Sequence, residues 1–282
     1  MSNIAIVTDS TCDLPKKITE KYNISVVPLN VHFGEETFLD GIDLEPDVFF
    51  EKLSTSDIHP TTSQPSVGRF LLSITLIFSF DNWFIAFIIS IHISDKLSAT
   101  HSTALQAMNQ LSNEKIRVID SKNGTLGLGS LVHKVALINE SDKDFESLIN
   151  KTQDLVEKAE FFGLVPTLEY LAKGGRIGKA QEFFGSLLKV KPILSAVDGE
   201  IHPVGKVRTL NKGMDYIVDI VKENKIETLF VVHANHLERA NLLVEKLDGV
   251  IDKKSIVISE FGPVVGTHLG PGAFGIGFIT LG

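Results

Sequence analysis

The chain has 282 residues, and its 27 Lys and Arg residues against 35 Asp and Glu residues leave a formal net charge of −8. With 43% hydrophobic and 22% charged residues, its composition is that of a globular protein, which excludes a disordered, collagenous or coiled-coil chain. The acidic balance argues against a general binder of nucleic acids or anionic membranes, because such proteins place an excess of Lys and Arg against phosphates.

Apolar runs rich in Val and Ile alternate with helix-length amphipathic stretches, which is the pattern of an α/β fold with a mainly parallel sheet. In the first half, strands are predicted at residues 4–7, 24–31, 87–93 and 116–119, and helices are predicted to begin near Leu14, Pro46, Ser66 and Ser98. In the second half, strands are predicted at residues 161–165, 192–196, 201–207, 229–232 and 255–259, and helices near residues 167–173, 179–189, 209–224 and 236–247. Asp198 and Gly199 predict a hairpin turn, since Gly tolerates the positive φ that such turns require.

A polar, helix-like stretch at residues 141–160 ends the first set of elements. The chain length suits two domains of ordinary size. We therefore predict an N-terminal domain of residues 1–162 and a C-terminal domain of residues 163–282.

Three features of the chain indicate a cellular compartment or argue against a metal site. Cys12 is the single cysteine, so an intramolecular disulfide and a cysteine-rich zinc site are excluded. The first residues lack the basic and apolar segments of a secretory signal peptide, so a reducing cytoplasm is expected. No His-x-x-x-His pair is present, and we expect no metal and no cofactor.

Residues 70–80 and 83–93 are nearly all apolar and are separated by Asp81 and Asn82. A membrane-spanning helix needs ~20 apolar residues, and each run has about half that length. The pattern favours a buried helix followed by a buried strand. A transmembrane span is the alternative.

Polar turns follow several predicted strands, where the carboxyl ends of a parallel sheet bind ligands. These turns lie at residues 8–11, 94–95 and 120–121, and a fourth polar turn at residues 60–65 precedes a helix. Ser, Thr and Asp also serve as ordinary helix caps, which is the alternative for each turn alone. Together, the four turns favour a site for a small anion.

The second half supplies basic and glycine-rich turns at residues 173–179, 205–209 and 262–272, the last of which contains His268. Solvated surface turns are the alternative for the two basic clusters. Residues 174–179 lack the spacing of a phosphate-binding loop, and residues 270–275 match the dinucleotide pattern without a following βαβ unit. A nucleotide-binding or sugar-binding protein is therefore disfavoured.

Seven motifs, spread in order over nearly the whole chain, resemble the DegV family of bacterial fatty-acid-binding proteins. They are Val-Thr-Asp-Ser at 7–10, Pro-Thr-Thr-Ser-Gln-Pro at 60–65, Ile-Ser-x-x-Leu-Ser-x-Thr at 93–100, Val-Ile-Asp-Ser at 118–121, Tyr-Leu-x-x-Gly-Gly-Arg-Ile at 170–177, Pro-Val-Gly-Lys-Val-Arg-Thr at 203–209 and Gly-Thr-His-Leu-Gly-Pro-Gly at 266–272.

The resemblance implies two α/β domains, an N-terminal one with a mainly parallel sheet and a C-terminal one with a mixed sheet, with a long-chain fatty acid in a buried tunnel between them. It implies that Thr62, Ser94 and His268 bind the carboxylate. It assigns a supporting role around the pocket to Asp9, Ser10, Thr61, Ser98, Thr100, Gly266 and Thr267.

The resemblance also implies a partner. Arg176 and Arg208 match the family's basic positions for docking a separate ATP-dependent kinase subunit, which phosphorylates the bound acid to an acyl phosphate. This chain would then be a carrier in phospholipid metabolism and not an enzyme, with room for transient membrane contact during lipid exchange. The alternative is a hydrolase or acyltransferase acting on a lipid ester, with Ser94 as nucleophile and His268 as base.

The chain departs from the family pattern in two places. Asp95 and Ala99 replace a Ser and a Gly, and Asp95 is expected to face outward because an inward charge would oppose an anion. Residues 69–83 are apolar where the family has a charged amphipathic helix, for which a local change of reading frame is our hypothesis.

Overall fold

The computed structural model describes residues 3–80, 85–111, 115–183 and 190–281. The elements of the first half, in chain order, are β1 (Asn3–Asp9), α1 (Lys16–Lys21), β2 (Ile24–Val27), β3 (Asn30–Phe33), β4 (Glu36–Leu39), α2 (Pro46–Thr55), β5 (Thr61–Ser63), α3 (Val67–Phe80), β6 (Ile85–His92), α4 (Thr100–Leu111), β7 (Ile116–Asp120), α5 (Thr125–Ser141) and α6 (Phe145–Val156). Those of the second half are β8 (Ala159–Leu164), α7 (Glu169–Lys173), β9 (Lys191–Val197), β10 (Glu200–Val207), α8 (Leu210–Glu223), β11 (Ile226–His233), α9 (Leu237–Lys246), β12 (Ile256–Glu260), α10 (Pro263–Leu269) and β13 (Phe274–Thr280).

The first half contains a four-stranded parallel sheet in the order β2-β1-β6-β7. Its strands are the apolar runs that the sequence predicts, and their carboxyl ends lie at one edge, as expected. One prediction is wrong: residues 24–31 form two strands, because Pro28 cannot donate the hydrogen bond that would continue the ladder. After Pro28, β3 joins a separate antiparallel sheet in the order β4-β3-β5.

The second half contains a six-stranded mixed sheet in the order β10-β9-β8-β13-β11-β12, in which only β11 and β12 pair in parallel. The predicted hairpin turn is confirmed between β9 and β10, with positive φ at Asp198 and Gly199. The predicted fold class of two α/β domains is therefore confirmed. The boundary between residues 162 and 163 falls inside β8 and stays a prediction.

Two further predicted segments have definite outcomes. The predicted helix at residues 179–189 is a short 3₁₀ helix at Gly178–Phe183, and residues 184–189 lie outside the described residues. Within the polar stretch at residues 141–160, α6 is confirmed as a helix whose first turn is capped by the Asp144 carboxylate on the Ser147 amide.

Helix α3 differs from the buried helix that its composition predicts. Phe70 and Ile74 are buried against the first sheet, but Leu72 and Leu76 on the other side are 59% and 42% exposed. Among the described residues, no helix combines the length and the apolar character needed to cross a membrane. The apolar strand that follows is buried as predicted, and Trp83 lies outside the described residues.

Helix α5 was not predicted, and it is the central helix of the molecule. It packs against β1 and β6 of the first sheet and against β8, β11 and β13 of the second. A Cβ atom on Gly277 of β13 would lie 2.3 Å from the carbonyl oxygen of Leu126, and a Cβ atom on Gly129 would lie 2.3 Å from the carbonyl oxygen of Cys12. These two glycines therefore set how closely α5 approaches its neighbours.

Helix α10 is held by two buried carboxylates from the first half of the chain. Asp13 Oδ1 accepts the Gly262 amide at 2.8 Å, and Asp40 Oδ1 accepts the Val264 amide at 3.5 Å. Burial raises the pKa of Asp40 to about 6 and raises the pKa of Asp13 well above its usual range. The position of α10 relative to the first half thus depends on ionisable groups that the interior disfavours in their charged form.

We expect Gly277→Ala to lower the free energy of unfolding by about 1–3 kcal/mol, because the added methyl group would push α5 away from β13. Gly68→Ala is the matched control, since a Cβ there would have only the Ser66 hydroxyl at 3.9 Å. Urea unfolding of both variants measures the effect. Equal stability of the two variants would show that α5 and β13 adapt without cost.

We expect Asp40→Asn to be more stable than the wild-type protein at pH 7.5, by up to about 3 kcal/mol, and this advantage to shrink toward pH 4. Because of the raised pKa, the folded protein binds more protons than the unfolded protein between about pH 4 and 6. Wild-type stability therefore falls as the pH rises through that window, and the loss persists at higher pH. Asn keeps an oxygen acceptor for Val264 and carries no charge. Urea unfolding between pH 4 and 8 measures the difference, and Asp57→Asn on the surface is the control. A difference that is independent of pH would contradict the assigned cause.

Candidate functional site

A cavity lies between the first half and the mixed sheet, where β6, α5 and α10 approach one another. It encloses about 730 Å³ outside protein atoms, the open solvent at its mouth included. Most of its walls are apolar, and the lining residues of this kind are Leu29, Ile93, Leu97, Phe161, Leu171, Ala196, Ile201, Val264, Val265 and Leu269. An apolar lining with a few polar groups is typical of a binding site for a small organic molecule.

Thr62 and His268 meet in the polar part of this lining. Thr62 Oγ1 and His268 Nε2 are 2.8 Å apart, although the two residues are separated by 206 positions. His268 Nδ1 is buried without a hydrogen-bond partner among the described residues, and a Cβ on Gly174 would lie 2.1 Å from it. Two of the residues that the resemblance assigns to the carboxylate therefore lie side by side at the cavity.

The imidazole of His268 is neutral near pH 7. Burial, and to a smaller extent the nearby Arg176 charge, together lower its pKa to about 3. A neutral imidazole can donate only one N–H, so it can hold an anion by a hydrogen bond but not by a charge of its own.

Arg176 also lines the cavity, whereas the resemblance assigns it to a docking surface. Its Nε donates to the carbonyl oxygen of Leu97 at 3.0 Å, and its Nη1 donates to the carbonyl oxygen of Gly174 at 2.8 Å. Among the lining residues of the described chain, it carries the only formal charge. The half-buried guanidinium therefore places a positive charge near His268 at the cavity.

Ser94 lies close to the cavity but does not line it. Its hydroxyl is buried and donates to the carbonyl oxygen of Gly199 in the β9–β10 hairpin turn at 2.8 Å. Its neighbours Ile93, Leu97 and Ser98 do line the cavity. The Ser94 hydroxyl thus ties the polar edge of the first sheet to the second sheet.

Three of the other residues assigned to the pocket stabilise its turns. Asp9 is buried and accepts hydrogen bonds from the amides of Thr11 and Ile93. Ser10 accepts the amide of Leu29, and Thr267 donates to the carbonyl oxygen of Pro263.

The remaining residues of that set are spread around the cavity. Ser98 lines it and is 2.8 Å from the Thr100 hydroxyl at the start of α4. A Cβ on Gly266 would lie 2.7 Å from Phe49, so this glycine allows α10 to pack on α2. Thr61 is exposed on β5 and does not line the cavity.

Five further lining residues were not assigned to the site individually from the sequence: Thr11, Ser63, Gln64, Gly124 and Thr125. The first three belong to the polar turns at residues 8–11 and 60–65, which were predicted as a whole. Gly124 and Thr125 lie at the start of α5, where free backbone N–H groups are available to an anion. Gly124 and Thr125 could have been identified only by predicting that a helix starts at Thr125, and that helix was not predicted.

A second hydroxyl–imidazole–carboxylate set lies inside the first sheet. Ser90 Oγ is 2.6 Å from His92 Nε2, and His92 Nδ1 is 2.9 Å from Asp9 Oδ2. All three side chains are buried and none lines the cavity. This set therefore joins β1 to β6 and has no access to a substrate.

Comparisons with known proteins agree with this architecture. A family model described as "Uncharacterised protein, DegV family" matches residues 3–281. The protein DegV of Bacillus subtilis is 37% identical over 280 residues, which cover 97% of this chain and 98% of that protein. Because the matches extend over almost all of both chains, they concern the whole fold and not one domain of it.

Two solved structures are similar as well. A DegV family protein from Thermus thermophilus, described by its fatty acid binding, has a TM-score of 0.90 and 29% identity over 99% of this chain and 100% of its own. The fatty acid kinase B3 protein of Streptococcus pneumoniae, loaded with linoleic acid, has a TM-score of 0.83 and 21% identity over 100% of both chains, a likeness of fold. From the family model and the relative in Bacillus subtilis together, this chain belongs to the DegV family.

Proposed function

We propose that this chain binds a long-chain fatty acid in the cavity and presents its carboxylate to a separate kinase subunit, which forms an acyl phosphate. The observation that carries the proposal is a largely apolar cavity with Thr62, His268 and Arg176 among its few polar groups. Burying an alkyl chain contributes about 0.8 kcal/mol for each methylene group, so such a cavity favours a long chain over a short one.

The carboxylate has two donors available in this arrangement. The neutral His268 ring donates its one N–H, at Nε2, to Thr62 Oγ1, which leaves the Thr62 hydroxyl hydrogen for the carboxylate, and Arg176 supplies N–H groups and the positive charge. Two of the five guanidinium N–H groups bind backbone carbonyl oxygens, which orients the side chain. Ser94 would join them only after its hydroxyl leaves the carbonyl oxygen of Gly199.

The related proteins support the same ligand class. The solved protein from Thermus thermophilus is described by its fatty acid binding, and the protein from Streptococcus pneumoniae contains linoleic acid. The name of the latter, a fatty acid kinase B protein, supports a carrier that works with a kinase.

The geometry argues against the hydrolase alternative. Ser94 and His268 are bonded to Gly199 and Thr62, respectively, and not to each other. His268, whose pKa is lowered to about 3, is a weak general base near pH 7, and its Nδ1 has no acid to orient it among the described residues. The hydrogen-bonded Thr62–His268 pair therefore suits ligand binding better than nucleophilic attack.

The first test is mass spectrometry of the purified protein under native and then denaturing conditions, which we expect to release an intact, non-covalent long-chain fatty acid. We further expect Thr62→Val to weaken binding of the acid by about tenfold, the cost of one hydrogen bond to a charged group, and to change binding of the matching alcohol much less. Competition with a fluorescent fatty acid measures both affinities.

Ser94→Ala is the matched control for that experiment, because its hydroxyl faces the hairpin turn. An equal loss of acid and alcohol binding in Thr62→Val would mean that the cavity had collapsed. An esterase activity that disappears in Ser94→Ala would favour the hydrolase alternative.

The docking role is proposed for Arg208. Lys206 in β10 and Arg208 directly after it are both exposed, and β10 is an edge strand of the mixed sheet. A pair of cations at an exposed edge suits an acidic surface on a partner. Arg176, which lines the cavity, would reach a partner only at the cavity mouth.

We expect Arg208→Ala to leave fatty acid affinity unchanged and to lower the rate of acyl phosphate formation by the kinase subunit of the same organism severalfold, with a weaker dependence on salt. Lys254→Ala is the control, because Lys254 is exposed just before β12 at the opposite edge of the sheet. Equal rates for the two variants would remove the docking role.

A further inference from the structure

Two carboxylates and an imidazole meet at the carboxyl edge of the first sheet, and none of the three residues lines the cavity. The ligand atoms of Asp95, His101 and Asp120 all lie within 4.8 Å of one another. Asp95 is in the turn after β6, His101 is in the first turn of α4, and Asp120 ends β7. Three separate elements therefore bring metal-binding side chains to one place, which the wide spacing in the sequence did not reveal.

The negative charges of this cluster lack a balancing cation within the described part of the chain. Neither Asp95 nor Asp120 forms an ion pair there, and Lys122, two residues from Asp120, pairs with Glu157. Ligand oxygens of Asp95 and Asp120 lie within 4.8 Å of each other, and Asp120 Oδ1 accepts the uncharged Lys122 amide, at 2.8 Å. The two carboxylates thus oppose each other, and a bound cation would relieve the repulsion.

His101 is suited to be the third ligand. Neither of its ring nitrogens has a hydrogen-bond partner among the residues that the structure describes. A ring nitrogen that no protein group occupies can offer its lone pair to a metal ion. In contrast, both ring nitrogens of His92 in the sheet interior are hydrogen-bonded, to Ser90 and to Asp9.

The ligand set indicates the class of metal. Mg²⁺ and Ca²⁺ take oxygen ligands almost exclusively, whereas an imidazole with carboxylates suits Zn²⁺ and other divalent first-row transition metals. Ligand atoms around Zn²⁺ lie about 3.4 Å apart in tetrahedral geometry, so ligand atoms as far apart as 4.8 Å have to approach one another by up to about 1.4 Å. The exposed Asp95 side chain can supply that movement by rotation about its own bonds.

We propose that Asp95, His101 and Asp120 form a binding site for one divalent transition-metal ion of the Zn²⁺ class. Three protein ligands leave at least one coordination position to water. The bound ion joins the turn after β6 to α4 and β7, and the same turn supplies Leu97 and Ser98 to the cavity wall. None of the three ligands lines the cavity, so the site does not rest on the proposed fatty acid function.

The test is titration of the untagged, chelator-treated protein with Zn²⁺ alone, in competition with a metal-binding dye. We expect about one equivalent to bind, with an affinity at least about 100-fold above that for Mg²⁺. Asp120→Asn and His101→Gln should each weaken Zn²⁺ binding by at least tenfold. Co²⁺ should give visible absorption bands of a nitrogen- and oxygen-ligated ion in the wild-type protein and not in these variants.

Asp95→Asn separates metal binding from folding. Without metal, its melting temperature should equal or exceed that of the wild-type protein, because one of two opposing charges is removed, and the Zn²⁺-dependent rise in melting temperature should disappear. His202→Gln is the matched control, since His202 lies 3.9 Å from the single carboxylate of Glu200 and should keep wild-type Zn²⁺ affinity. No stoichiometric binding by the wild-type protein, or unchanged binding in His101→Gln and Asp120→Asn, would overturn the proposal.

Discussion

The contact of α5 with both large sheets is the constraint on which the rest of the structure depends. From Thr125 to Ala136, nearly every residue of this helix is buried, so its side chains belong to the cores of both halves at once. Gly277 permits the approach from the mixed sheet, and Gly129 permits the approach to the turn after β1. Because the same helix begins at the cavity, the distance between the sheets and the width of the binding site are set together.

The alternation of apolar and polar residues was sufficient to predict most strands, because burial of Val and Ile dominates their placement. This pattern did not predict α5 and β13, which both contain glycines. Glycine weakens helices and strands in isolation. Helix α5 also lacks the polar face of a surface helix. Gly129 and Gly277 are explained only by the atoms opposite them in the folded chain, which no local pattern contains. In α3, the inward positions Phe70 and Ile74 obey the helical period, while the outward face remains apolar.

The sequence predicted which residues lie near the site better than it predicted the directions of their side chains. Three of the four polar turns follow strands of the first sheet at its carboxyl edge, whereas the turn at residues 60–65 contains β5 of the separate antiparallel sheet. Thr62 of that turn is hydrogen-bonded to His268 at the cavity. The direction of a hydroxyl could not be predicted from its position in the sequence. The Ser94 hydroxyl, for example, donates to the carbonyl oxygen of Gly199 in the hairpin turn. The same holds for Arg176. Its basic turn suggests a surface position, but hydrogen bonds to two backbone carbonyl oxygens hold its guanidinium at the cavity.

The place of β13 in the mixed sheet has a consequence for how the chain is made. The strands of the parallel sheet all precede residue 121, so each finds its partners early in synthesis. By contrast, β8 and β11 pair on either side of β13, which leaves the ribosome after both of them. Until then, β8 has an unpaired edge and the cavity lacks His268. The edge of β8 that β13 covers therefore stays open over more than a hundred residues of elongation, and an unpaired edge of this kind is prone to aggregation.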